Sequence, residues 1–147
     1  RGPAHDEIVH AVNHRGVTQV ALLGYSHGGG TVYHVAWRLD NNYGASDGST
    51  IVEPYELVFA SYLDAVRNNR YSDVTPETRR PPGASFFLNQ YQTNSWLRGG
   101  PVENLQPGDL EYDRSALGVE HSGDLSIDLH PLVIQTISNG FEARVAR

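Results

Sequence analysis

The chain contains no cysteine, no methionine and no lysine. Without cysteine there is no disulfide, no thiolate zinc site and no cysteine nucleophile. Without lysine, a glycine-rich turn in this chain cannot be a phosphate-binding loop of the Gly-x-x-x-x-Gly-Lys-Ser/Thr type. Long hydrophobic runs are missing too, so no segment supplies the roughly 20 apolar residues that a membrane-spanning helix needs. Positive charge is scarce: 11 arginines face 17 acidic residues for a net charge of -6. That balance argues against a nucleic-acid partner, whose phosphate backbone calls for a basic face. The 147 residues, 39% of them hydrophobic, suit one domain long enough to bury a core.

Glycine, by contrast, is plentiful, and four of the 15 fall in Gly24-Tyr25-Ser26-His27-Gly28-Gly29-Gly30. The run Val17 to Leu23 leads into this stretch. It is near-continuously apolar towards its end and reads as a parallel strand buried on both faces. Val32, Val35, Ala36 and Leu39 follow at helical spacing, and Asp40-Asn41-Asn42 closes the helix. Strand, glycine-flanked turn carrying a serine, then helix is the physical description of a nucleophile elbow.

Upstream, Asp6 is placed to cap a helix bearing Ile8, Val9 and Val12 on one face, ending at Arg15-Gly16. Downstream, residues 41 to 54 read as a polar loop. Tyr55 to Leu63 is a second strand with Asp64 at its C-terminal end, and Ala84 to Gln92 is a third. Residues 67 to 83, with Pro81-Pro82-Gly83, read as a surface loop. Residues 93 to 118 suit a loop around the mouth of a site, with a short strand near Leu110 to Tyr112. A last helix is expected to be capped by Asp128, with Pro131 in its first turn, Leu132, Val133 and Ile137 as its apolar positions, and Gly140 as terminator. Helices alternating with strands over short connections give an α/β class with a predominantly parallel sheet.

A serine hydroxyl needs a base to take its proton, a group to orient that base, and donors for the developing oxyanion. Glycines at 24 and 28 leave room for a tight turn around Ser26. The backbone N–H of His27, at the start of the helix, is one oxyanion donor. The blander reading of the same residues is a glycine-rich strand-to-helix turn with no chemistry.

At this point the sequence resembles the α/β-hydrolase superfamily, in particular its lipase- and esterase-like members. Tyr62-Leu63-Asp64-Ala65 looks like the segment in which a lipase-like branch carries its acid. The stretch from Val119 through His121 to Ile127-Asp128 and Val133 resembles the histidine loop, where the base precedes an Ile-Asp pair and a closing helix. The order Ser26, Asp64, His121 is the superfamily's order, and the resemblance spans residue 17 to about residue 138. It implies Ser26 as nucleophile, His121 as general base and acid, and Asp64 as the group orienting the imidazole. It also implies that half of the oxyanion hole comes from a loop after an earlier strand. That strand would lie upstream of Arg1. The chain is therefore expected to be a partial hydrolase domain, 1–147, lacking N-terminal strands, with residues 17–23 as a central strand. Partners are then the remainder of a larger hydrolase chain, or a second copy meeting an exposed sheet edge.

This chain departs from the family pattern where Ser122-Gly123-Asp124-Leu125-Ser126 intervenes before the Ile-Asp pair. His130 thus stays in play as base, and Asp109, Asp113 and Asp124 compete with Asp64 as acid. Other signals read as bland. His10 and His14, four apart, are surface histidines rather than metal ligands, with His5 ahead of the cap. Asp40-Asn41-Asn42 and Asp47-Gly48-Ser49 are solvated loop. Tyr25, His27 and Tyr33 line a pocket or pack. Trp37 is core or interface, and Arg67, Arg70, Arg79 and Arg80 form an exposed basic loop. The functional expectation is hydrolysis of a small-molecule or lipid carboxylic ester through an acyl-serine, with no metal or organic cofactor. The alternative is a non-catalytic α/β-hydrolase-like binding domain or a truncated remnant.

Overall fold

A computed structural model of the chain describes residues 2–66 and 76–145; Arg67 and Arg70 lie outside them. Four strands, β1 (Gln19–Tyr25), β2 (Glu56–Leu63), β3 (Phe87–Tyr91) and β4 (Leu110–Asp113), form one sheet in the order β1-β2-β3-β4. All three pairings are parallel. Helices α1 (Pro3–His14), α2 (Gly28–Asp40) and α3 (Pro131–Arg144) flank the sheet. Among the described residues no helix is long and apolar enough to cross a membrane.

The core divides between the two faces of β2, the strand whose residues 57–63 are all buried. On one face Leu57, Ala60 and Tyr62 pack with Val12 of α1, Val32 and Ala36 of α2, and Phe87 of β3. On the other, Val58 and Phe59 pack with Phe86 and Leu88, and Leu63 packs with Val119, Ile127 and Val133. The pairing of β1 with β2 shifts register between Val20 and Ala21, where Val20 meets Leu57 but Ala21 meets Phe59. The extra residue, Val58, lets two successive apolar side chains serve the same cluster. Each valine, leucine, isoleucine or phenylalanine side chain so buried contributes about 1.5–3 kcal/mol relative to exposure.

Several local expectations change. β1 is not buried on both faces: Ala21, Leu23 and Tyr25 are exposed, Leu23 by 55%. Its apolar run is central in character, yet among the described residues it pairs only with β2 and stands at the sheet's edge. Asp6 does not cap α1, which begins earlier at Pro3 with Gly2 at its cap. Its carboxylate instead accepts the Ser46 N–H and Oγ–H, tying α1 to the 45–49 loop. Those two bonds hold the Asp6 carboxyl below its ordinary range. Asp128 does not cap α3 either; it accepts from Ser126 Oγ in a short 3-10 turn, Ile127–Leu129. His130 holds the cap, its Nδ1 accepting from Leu132 N at 3.1 Å. Gly140 lies inside α3 rather than after it. A Cβ there would sit 3.2 Å from the Phe59 ring and 3.4 Å from Phe86, so this glycine serves close helix–sheet contact. Leu132, expected to be core, is 45% exposed, while Val133 is fully buried. Trp37 is not core: it is 38% exposed and leans on Tyr43. Arg80 is buried rather than part of an exposed loop.

Candidate active site

Three connections leave the C-terminal ends of β1, β2 and β3, the end at which open parallel sheets place ligands. The register pairs Tyr25 with Leu63 and Leu63 with Gln90, so Ser26, Asp64 and the residues after Gln90 emerge side by side. Backbone bonds then fix them. Ser26 N donates to Leu63 O, and Ser26 O accepts from Gly29 N and Val66 N, each at 3.1 Å. Asp64 N donates to Gln90 O at 2.7 Å.

The backbone is strained at both Ser26 and Asp64. Ser26 has φ +60° and Asp64 φ +46°, left-handed values that a non-glycine residue adopts at a cost. Gly24 is the glycine that the turn requires: a Cβ there would lie 2.2 Å from Gly28 O. Gly28 itself faces open space, so the expectation that both flanking glycines avoid collision holds only for Gly24.

Residues 119–127 bring in a histidine from the far end of the sequence. Glu120 N donates to Leu125 O and Ile127 N to Glu120 O, both at 2.8 Å, closing a small loop that presents His121. The Ser122–Ser126 insertion is the body of that loop. His121 Nε2 stands 2.9 Å from Ser26 Oγ, and its Nδ1 stands 2.7 Å from Asp64 Oδ2. A carboxylate can only accept, so in the neutral ring Nδ1 carries the proton and Nε2 accepts from the serine hydroxyl. Asp64 is fully buried, His121 is 5% exposed and Ser26 is half-buried. Besides the imidazole, the Asp64 carboxylate accepts from Gly99 N at 2.6 Å, Gln92 Nε2 at 2.8 Å and Gln92 N at 3.2 Å.

No family model, curated protein or solved structure matches this chain. What the site can do is therefore read from its own geometry.

The competing residues stand apart from this chain of contacts. His130 caps α3. Asp109 forms a buried two-pronged pair with Arg80, at 2.6 and 3.2 Å, and also accepts from Phe87 N. Asp113 accepts from Ser115 N and Oγ, and Asp124 is exposed. His27 is exposed at the N-terminal cap of α2, where its N–H belongs to the positive end of the helix dipole. His10 and His14 are exposed neighbours, whereas His5 is buried. Among the described residues no three His, Asp or Glu side chains are grouped so as to hold a metal ion.

Tyr25 does more than line a pocket. Its ring stacks on the His121 imidazole, with centroids 5.2 Å apart and planes inclined by 16°, and its hydroxyl donates to His121 O. Tyr33 packs into the core cluster under α2. On β2, burial among apolar neighbours pushes the Tyr62 phenol well above its ordinary range, and its hydroxyl donates to Arg79 O. A cleft of about 600 Å³ opens beside Ala65 and Val66, walled by Glu77, Trp96, Leu97 and Arg98. Ser26 and His121 do not line it. The residues missed in the sequence are Gln92, Ser95 and Gly99. For Gln92 the available signal was a polar residue closing the third strand, near the position that Asp64 holds at the end of the second; Ser95 and Gly99 carried none.

Proposed function

We propose that this chain is a serine hydrolase that cleaves carboxylic esters through an acyl-serine intermediate, of the lipase and esterase type. The observation that carries the reading is the chain of contacts from Ser26 Oγ to His121 Nε2 and from His121 Nδ1 to Asp64, held at the C-terminal end of a parallel sheet.

Ser26 Oγ attacks the ester carbonyl carbon while its proton passes to His121 Nε2. The carbonyl oxygen takes up the electron pair and is met by the His27 backbone N–H. Collapse of the tetrahedral intermediate breaks the C–O bond to the alcohol, which leaves with the proton from His121. Water then attacks the acyl-Ser26 ester, again giving a proton to His121. The acid departs as Ser26 recovers its hydroxyl. Throughout, Asp64 keeps the imidazole in the productive tautomer and offsets the charge of the imidazolium. No metal or organic cofactor enters these steps.

The same reading extends to the fold as an α/β-hydrolase fold. Its β1 edge, open among the described residues and uncharged along the strand, suits a further strand, from a longer hydrolase chain or from a second copy. An unpaired apolar edge of that length is a hazard when left bare.

Hydrolysis of nitrophenyl esters over a series of acyl chain lengths tests the activity. The expected result is release of nitrophenol with a preference among chain lengths, abolished by Ser26→Ala. Equal rates from the protein and its Ser26→Ala variant would overturn the proposal.

A further inference from the structure

Gln92 follows β3 directly and is fully buried. The surroundings of its side-chain amide settle which end is which. One end stands 2.8 Å from Asp64 Oδ2 and 3.0 Å from Leu97 O, both acceptors, and so is the NH₂ group. The other accepts from Asn94 N at 2.8 Å and Ser95 N at 3.0 Å, both donors, and so is the oxygen. Both hydrogens of the amide nitrogen are therefore used, one of them on the proposed acid.

The oxygen end leads to the base. By gathering Asn94 N and Ser95 N it folds residues 94–97 into a tight loop, and Ser95 Oγ, 3.2 Å from the same oxygen, accepts from His121 N at 2.9 Å. Asn94 Nδ2 also donates to Val119 O at 2.9 Å, just ahead of His121. One buried amide thus joins the carboxylate of Asp64 to the backbone that carries the imidazole.

We infer that Gln92 is a positioning residue for the reaction: it holds Asp64 in line with His121 Nδ1 and sets the histidine loop through Ser95. This rests on the serine-hydrolase reading above. A carboxylate on a single Cβ–Cγ bond rotates unless its second oxygen and the outer lone pair of the first are engaged. Gln92 Nε2 supplies that bond at Oδ2, the oxygen facing His121. Gln92 N and Gly99 N hold Oδ1. Buried networks of this kind fix a geometry when every member is satisfied.

The two ends of the amide can be separated by substitution. Gln92→Glu keeps an oxygen for Asn94 N and Ser95 N but replaces the donor to Asp64 with a like charge. Gln92→Met keeps the length and removes both functions. Ester hydrolysis and thermal unfolding are measured for both variants beside the wild type and Ser26→Ala. The expected result is a fall in kcat of about 10- to 100-fold in Gln92→Glu with KM nearly unchanged, and a larger fall in Gln92→Met. Such a split marks an interaction used in the transition state rather than in substrate binding. A lowered unfolding temperature with wild-type kcat in both variants would make Gln92 purely structural and overturn the inference. Where Gln92→Met fails to fold, wild-type kcat in Gln92→Glu alone does the same. A wild-type activity untouched by Ser26→Ala would instead remove the underlying reading, so the two failures are distinguishable.

Discussion

At the scale of the residue, Ser26 and Asp64 both occupy left-handed backbone, a conformation that costs on the order of 1–3 kcal/mol apiece. The cost is held in place by neighbouring bonds: Ser26 by Leu63 and Val66, Asp64 by Gln90 and four side-chain or backbone donors. An Asp64→Asn variant offers a donor where Nδ1–H needs an acceptor and so favours the wrong tautomer. Its kcat for ester hydrolysis is expected to drop by about 10⁴-fold. His130→Ala, which touches only the α3 cap, is expected to keep near-wild-type turnover. Ordinary rates in Asp64→Asn, or lost rates in His130→Ala, would reassign these roles. That Ser26, Asp64 and His121 meet was expected from their places at an elbow, a strand end and a loop before a closing helix, together with the resemblance to the α/β-hydrolases, which alone set Asp64 and His121 ahead of their competitors. Gln92 was not singled out, because a glutamine after a strand has no chemistry until its neighbours are known. The stacking of Tyr25 on His121 joins residues 96 apart and has no local signature.

At the scale of the element, the elbow depends on one glycine more than the other. Gly24→Ala places a methyl group against the Gly28 carbonyl and is expected to destabilise the fold by about 1–3 kcal/mol or more. Gly28→Ala meets open space and is expected to unfold within a few tenths of a kcal/mol of the wild type. Denaturant titration of both compares them directly, and equal stabilities would contradict the tight approach at Gly24. A second element-level bond is the buried Arg80–Asp109 pair, which joins the residues before β3 to those before β4. Asp109→Ala leaves a guanidinium buried without its partner and is expected to cost about 3–5 kcal/mol. A loss below 1 kcal/mol in chemical unfolding would show that the pair is dispensable. The strands were legible as apolar runs, and the parallel pairing of β1 with β2 from the helix α2 between them; among the described residues no α-helix joins β2 to β3 or β3 to β4. The α3 boundaries were not: Gly140 reads locally as a stop signal, and only Phe59 and Phe86, distant in sequence, give it an interior role.

At the scale of the whole molecule, the sheet is well covered at β2 and β3, while β1 is packed on one face only and open on the other. Leu23 stands 55% exposed on that strand, and a small apolar groove runs beside it between Leu22, Phe59, Ile137 and Phe141. Sedimentation of the protein is expected to show concentration-dependent self-association, reduced in Leu23→Lys, a charge of the kind natural edges carry. A monomer at all concentrations would show that the edge needs no cover. The apolar character of residues 17–23 was evident from sequence, but whether a strand has one neighbour or two is a property of the assembled sheet. The whole protein also gives the most direct test of the proposed chemistry. A fluorophosphonate reacts with a serine only where a base and an oxyanion site activate it, and peptide mass spectrometry locates the adduct. The expected result is one adduct on Ser26, absent in Ser26→Ala and formed far more slowly in His121→Ala. A folded protein that leaves Ser26 unmodified, or reacts equally fast without His121, would contradict the proposed role of the Ser26–His121–Asp64 chain.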